Sequence, residues 1–156
     1  MSQTINGIID VTTRHTPQVA VATLALDGGT VADVFTIAGG PIELLGLWAH
    51  ITEAVSNNAC EMKWQLDPTI GASSTDLCGV LDIAAAALGD VFYILGVSAS
   101  AMQKAANGTA IALSCTARAF LPPGGIDAVL QNSDPTTGIA TVYMAYRRMT
   151  LTATVT

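Results

Sequence analysis

Charged residues are scarce in this sequence. They make up 12% of the 156 residues, against roughly 25% in a typical globular protein, and the formal net charge is −6. The six basic residues are dispersed along the chain, at Arg14, Lys63, Lys104, Arg118, Arg147 and Arg148. Because nucleic-acid-binding proteins concentrate lysine and arginine on one face, this distribution argues against a direct nucleic-acid partner.

Long hydrophobic runs are also missing, although 51% of the residues are hydrophobic and the mean hydropathy is +0.50. The most apolar stretch, residues 91–117, is interrupted by Gly96, Lys104 and Gly108, whereas a membrane-spanning helix needs about 20 apolar residues. Residues 1–10 contain no basic residue and no apolar run, so we expect no secretory signal. A chain this apolar that does not cross a membrane is expected to cover apolar surface with a partner.

The motifs of catalysis and metal binding are absent from the sequence. His15 and His50 lie far apart, and no phosphate-binding loop or dinucleotide fingerprint is present. Residues 96–100 approach a nucleophile elbow but lack its second glycine. The cysteines lack Cys-x-x-Cys spacing and are interpreted as small buried hydrophobic residues, at Cys60, Cys78 and Cys115. We therefore expect no enzymatic activity, no cofactor and no metal.

Alternation of apolar and polar residues is the dominant pattern that is present. From Cys60 to Leu66 every even position is apolar and every odd position between them is polar, which is typical of a half-buried strand. Similar patterns predict strands over residues 31–37, 42–55, 91–97, 109–116, 138–146 and 150–156. The strand that begins at Ile42 and the Cys60 strand, joined by a turn at residues 56–58, are expected to form an antiparallel hairpin.

Four segments depart from this alternation. Residues 82–89 are rich in alanine and predict one or two short helical turns, and residues 100–106 predict a loop with helical tendency. Residues 67–75 and 121–138 are interpreted as long loops because they contain proline and glycine.

These patterns predict an all-β protein with one domain. Residues 1–30 are interpreted as an extended N-terminal arm and a first strand, and residues 31–156 as an antiparallel β-sandwich or jelly roll of about seven or eight strands. Both faces of the strand over residues 138–146 are apolar, so we expect a neighbouring subunit to cover one of them. The candidate self-interface residues are Tyr143, Tyr146 and Arg147.

The order of several short segments resembles a known class of proteins. These segments are residues 34–37, 39–42, 51–54, 63–69, 76–78, 81–83 and 138–146, followed by a threonine-rich tail. Over residues 31–156 the chain resembles small virion proteins of tailed bacteriophages, in particular the auxiliary capsid proteins called decoration or cement proteins.

The resemblance implies a β-sandwich or jelly-roll subunit that is made in the bacterial cytoplasm, is commonly a homotrimer, and binds the outer capsid surface between major capsid proteins. There it would resist the internal pressure of packaged DNA. The N-terminal arm is the candidate capsid contact, ordering on binding through Ile5, Ile8, Ile9 and Val11. The alternatives are a head-fibre base or tail component, a jelly-roll carbohydrate-binding module, and an enzyme.

Overall fold

Two antiparallel β-sheets pack face to face in the computed structural model of the protein. The structure describes residues 16–27, 31–71, 73–94, 102–107 and 119–156. Sheet A contains β1 (Gln18–Ala25), β3 (Ile42–Glu53), β7 (Val91–Tyr93), β8 (Gln103–Ala105), β9 (Ala119–Leu121) and β11 (Ile139–Arg148). Sheet B contains β2 (Val31–Ala38), β4 (Glu61–Pro68), β5 (Thr75–Asp76), β6 (Leu81–Asp82), β10 (Gly124–Gln131) and β12 (Thr154–Val155).

The strand order is β1-β11-β3-β7-β8 in sheet A, where β9 also pairs with β3, and β12-β2-β10-β4-β5 in sheet B, where β6 also pairs with β4. The described residues contain no helix, and so none of the length and apolarity needed to cross a bilayer. The prediction of an all-β sandwich is therefore confirmed, as are the strands predicted over residues 31–37, 42–55, 60–66 and 138–146.

The core lies between the sheets and is built by every second residue of the long strands. In β4 the buried residues are Met62, Trp64 and Leu66, and in β11 they include Val142 and Met144. Each large apolar side chain that is fully buried contributes about 1.5–3 kcal/mol to folding. The alternation visible in the sequence is thus the alternation of core-facing and outward-facing side chains.

The predicted hairpin between the Ile42 strand and the Cys60 strand is wrong, because β3 and β4 belong to different sheets. The connection between them crosses from sheet A to sheet B beside the connection from β10 to β11. The two connections are joined where the amide of Thr136 donates to Ser56 Oγ at 2.9 Å and Asn58 Nδ2 donates to the Asp134 carbonyl at 3.2 Å. Periodicity defines the inward face of a strand but leaves its neighbour in the sheet undefined.

The interpretation of residues 121–138 as one long loop is also wrong, because β10 occupies the centre of sheet B between β2 and β4. Its inward residues Ile126, Ala128 and Leu130 are buried. The glycine at position 124 is required by a close approach of strands, since an added Cβ would lie 2.7 Å from Pro68 Cα and closer still to the carbonyl oxygen of Asp67. Gly124 therefore marks tight strand packing.

The expected helical turns do not form in the described residues. Residues 83–90 form two tight turns, in which Asp82 Oδ1 accepts the amide of Ala84 at 2.9 Å and Ala85 and Gly89 have φ values of 52° and 90°. Ile83 and Ala86 are drawn into the core, which holds the segment in this shape against its helix propensity. Of residues 100–106, the part from Gln103 to Ala105 is strand β8, which pairs with β7.

A β-bulge interrupts the alternation of inward and outward side chains in β3. Tyr146 pairs with Leu44 and Ala145 pairs with Gly46, so Leu45 is the extra residue. Before the bulge Leu44 faces the core and after it Leu47 does, whereas an uninterrupted alternation would put Leu45 on the same face as Leu47.

At the C-terminal end, the predicted strand is shortened to β12, in which Thr154 and Val155 pair with β2 of the same chain, and Thr156 exchanges both backbone hydrogen bonds with Thr36. The predicted arm, the predicted strand over residues 109–116 and the end of the one over 91–97 lie outside the described residues.

Candidate interaction surface

The outward face of sheet A is a broad apolar surface. It forms because the outward residues of β1, β11, β3, β7 and β9 are largely aliphatic or aromatic, while their inward neighbours fill the core. We call it the apolar face and define it by Val19, Val21, Trp48, Val91, Tyr93, Phe120, Tyr143 and Ala145. Val19, Val21 and Phe120 are exposed and the others are half-buried. Contiguous apolar surface of this kind is typical of interaction sites.

One row of side chains runs straight across the middle of the apolar face. Strand register places Val21 opposite Tyr143, Tyr143 opposite Trp48, and Trp48 opposite Tyr93. The rings of Trp48 and Tyr143 are stacked, with centroids 5.5 Å apart and planes 9° from parallel. Such a pair contributes about 0.5–1.5 kcal/mol beyond the area that it buries. The stack holds the two central rings against each other.

Polar residues border the apolar face at both ends. At one end Arg147 Nη1 lies 3.4 Å from Glu43 Oε2, and both side chains are partly shielded from solvent. At the other end His50 pairs with Thr141 and lies beside Val91. An apolar centre with a polar border is the usual anatomy of a protein–protein interface.

Two of the three predicted self-interface residues lie on the apolar face or at its border. Tyr143 belongs to the central row and Arg147 to the border, whereas Tyr146 points into the core and is 6% exposed. Tyr143 and Tyr146 are three positions apart, and residues an odd number apart in a strand point to opposite faces. Tyr146 therefore has almost no surface to offer to a second subunit. The predicted capsid contacts Ile5, Ile8, Ile9 and Val11 lie outside the described residues.

Sequence reasoning missed the contribution of β1. Its outward residues Val19 and Val21 are 59% and 58% exposed, and β1 is at one edge of sheet A among the described strands. Residues 18–25 do alternate as a strand requires, but alanine occupies several of the inward positions. Because alanine is found on buried and exposed surfaces alike, it weakened the pattern.

The outward face of sheet B has the opposite character. It is rich in carboxylates and has Lys63 as its central cation. The ammonium of Lys63 lies 2.8 Å from the carboxylate of Asp76, to which Gln65 Nε2 also donates at 2.8 Å. These two hydrogen bonds lower the pKa of Asp76. The acidic residues of this face are Asp33, Glu61, Asp67, Asp76, Asp82 and Asp127.

A shallow open depression of about 760 Å³ lies at the β4–β5 edge of sheet B. Beneath it, Cys78 Sγ accepts the amide of Trp64 at 3.3 Å, and burial raises the pKa of the Cys78 thiol. Burial also raises the pKa of Cys60. A raised pKa keeps a thiol protonated and therefore a poor nucleophile. The lining residues are Lys63, Gln65, Ser74, Thr75, Asp76, Cys78 and Gly79.

Within the part of the chain that the structure describes, no three histidine, cysteine, aspartate or glutamate side chains are grouped to hold a metal ion. The chain matches no protein-family model, no curated protein and no solved structure. The apolar face is therefore the feature of the described residues from which a function is best inferred.

Proposed function

We propose that this chain is a non-enzymatic structural subunit that packs against copies of itself through the apolar face. The observation that carries the proposal is the row of cross-strand neighbours in the middle of that face, Val21–Tyr143–Trp48–Tyr93. Tryptophan and tyrosine are the residues that most often dominate binding energy at protein interfaces.

A second copy is the occupant that the charges of the apolar face favour. The centre of the face is uncharged, and Glu43 and Arg147 at its border are of opposite sign. Around a threefold axis each copy contacts its neighbours through different parts of this face, and a border that carries both signs allows such contacts without like-charge repulsion. The acidic outward face of sheet B would repel its counterpart in the same arrangement.

The specific role that we propose is that of a decoration subunit, a homotrimer on the outer surface of a bacteriophage capsid that binds the major capsid protein. This part of the proposal rests on the resemblance over residues 31–156. It is supported by an all-β sandwich with a low charge density and an apolar outward face. A head-fibre base or tail component would present the same kind of surface.

The self-association is tested by a matched pair of substitutions. Val21→Lys introduces a charge on the apolar face, and Val31→Lys introduces the same charge in β2 of sheet B; the two valines are 58% and 55% exposed. Sedimentation velocity of the wild-type chain is expected to give a trimer. Val21→Lys is expected to raise the dissociation constant about tenfold or more, because burying an unpaired ammonium costs at least the ~1.4 kcal/mol that a factor of ten represents.

Val31→Lys is expected to leave the association unchanged. A wild-type chain that sediments as a monomer at all concentrations would contradict the proposal, and so would equal effects of the two substitutions.

The capsid role is tested separately, by mixing the purified chain with capsids of the phage that encodes it and sedimenting them. We expect a fixed number of copies of the chain to bind to each capsid, and the capsid lattice sets that number. Binding to tails alone would instead favour the head-fibre or tail component.

A carbohydrate-binding module is the second candidate, favoured by the aromatic row itself. Sugars bind to the open faces of aromatic rings, however, and Trp48 and Tyr143 each cover one face of the other. Glycan binding that is lost in Trp48→Ala would support this second function in place of self-association.

A further inference from the structure

Two aspartates face each other across the centre of sheet B. Strand register places Asp33 of β2 directly opposite Asp127 of β10, at a bulge where Val34 is the extra residue. Asp67 of β4 lies one row away, opposite Gly125. Like charges directly opposite each other in neighbouring strands destabilise a sheet. This arrangement therefore costs stability whenever both carboxyl groups are ionised.

Asp127 is also deprived of hydrogen-bond donors. It is 6% exposed, and its Oδ1 is buried without a hydrogen-bond partner among the described residues. The donors on the adjacent strand β4 are already engaged with Asp76 of β5, because Gln65 Nε2 and Lys63 Nζ both donate to it at 2.8 Å. A buried carboxylate without donors is unfavourable, so the carboxyl group of Asp127 is suited to carry a proton itself.

The hydroxyl group of Ser74, a further donor near β4, is engaged as well. Ser74 Oγ donates to Asp67 Oδ1 at 2.9 Å, and Asp67 adds a further negative charge close to Asp127. The groups that face the pair are thus two carboxylates, Asp67 and Asp76, and a lysine that is held by one of them. Because Asp127 Oδ1 is buried, a proton is small enough to reach it and neutralise the carboxylate.

We propose that Asp33 and Asp127 form a proton-dependent clasp between β2 and β10. With one proton shared, a carboxyl–carboxylate hydrogen bond joins the strands. When the proton leaves, two negative charges face each other at a bulge where the ladder is already interrupted. Strand β12 pairs only with β2 among the described strands, through Thr154 and Val155. Loss of the proton therefore loosens β2 and β12 together.

The direction of the pH dependence follows from the pKa of Asp127. Burial, then the hydrogen bond and the charge of Asp33, and then the charge of Asp67 raise this pKa from 3.8 to about 6. The folded chain therefore keeps a proton that the unfolded chain has already lost. The stabilisation is complete below pH 3.8, falls as the pH rises through about 6, and is absent above that.

The clasp is tested by urea unfolding of the wild-type chain and of Asp127→Asn at several values of pH from acid to mildly alkaline. Asparagine has the shape of aspartate but no charge. In alkali we expect Asp127→Asn to have the smaller unfolding constant, by up to roughly a hundredfold for a pKa shift of this size. In acid the two chains are expected to converge. Asp33→Asn is expected to behave in the same way, since it removes the other half of the repulsion.

Glu53→Gln, at the exposed end of β3, is the matched control and is expected to follow the wild-type pH dependence. Amide hydrogen exchange, corrected for the intrinsic pH effect, localises the change: residues 31–38 and 154–156 are expected to lose protection as the pH rises, while β3 and β11 keep theirs. Parallel pH dependences of Asp127→Asn and the wild-type chain would overturn the clasp. Stabilisation of the wild-type chain by calcium chloride in alkali would also overturn it, because the pair would then be a cation site.

Discussion

At the scale of single residues, two buried aspartates show how local donors decide whether a charge is tolerated. Asp90, 4% exposed, accepts the amide of Ala87 at 2.9 Å, the amide of Asn107 at 3.2 Å and the ammonium of Lys104 at 2.8 Å. Burial by itself raises the pKa of Asp90, but these hydrogen bonds outweigh it and the pKa is lowered. Asp127 lacks such donors, and its pKa is raised.

Asp90→Asn is therefore expected to destabilise the chain by about 2 kcal/mol near neutral pH, the usual contribution of hydrogen bonds to a charged group. Because the pKa of Asp90 is lowered on folding, its contribution is present above pH 3.8 and is lost as the pH falls through the folded value. The penalty should thus shrink in acid, as measured by urea unfolding.

A double-mutant cycle with Lys104→Met isolates the contribution of the ion pair. If the penalty of Asp90→Asn is the same in acid as at neutral pH, the charge of Asp90 does not contribute to stability.

At the scale of elements, the central strand of sheet B depends on a glycine. β10 pairs with β2 on one side and with β4 on the other, and a Cβ added at Gly124 would collide with β4. The atoms that an added methyl group would meet belong to the backbone of Asp67 and Pro68, which are held in the ladder and cannot move aside as a flexible side chain would.

Gly124→Ala is accordingly expected to cost about 3 kcal/mol, the upper end for overpacking. Gly71→Ala is the control, because an added Cβ there meets nothing within 4 Å and the cost is only that of its left-handed backbone, about 1 kcal/mol. Thermal unfolding of the two variants makes the comparison. Equal losses of stability would mean that β10 and β4 are able to separate at Gly124.

At the scale of the whole molecule, the two sheets give the sandwich two unlike outward faces. Sheet A presents aromatic and aliphatic side chains around the Trp48–Tyr143 stack, and sheet B presents most of its carboxylates around Lys63. In the assembly that we propose, this asymmetry gives the subunit one face suited to burial and one suited to water, which would orient it.

Self-association through the apolar face is expected to persist at ~1 M salt, where the Debye length is about 3 Å and exposed charges are screened. Sulfate is expected to strengthen it, because sulfate favours apolar burial. Sedimentation at low and high ionic strength measures both effects. An association that weakens steeply with salt would instead place charged groups at the interface.

The sequence by itself determined the fold class and the inward face of β4. The alternation of β4 predicted a strand with Trp64 on its buried face, because a strand has a period of two wherever it lies. In β11 both faces are apolar, so its composition predicted a strand but left open which face is inward. The same reasoning fails at the bulge at Leu45 and at the glycines that precede Ile126. A one-residue insertion or a missing side chain interrupts the alternation of apolar and polar residues.

Only the tertiary structure decided which strands are neighbours. Trp48 meets Tyr143, and Asp33 meets Asp127, across pairings between residues far apart in the chain. Register between such distant segments is set by the packing of both sheets at once, and no local pattern in either segment encodes its partner. The sequence therefore determined which residue types each strand contributes, while the fold determined which of them lie side by side on each outward face.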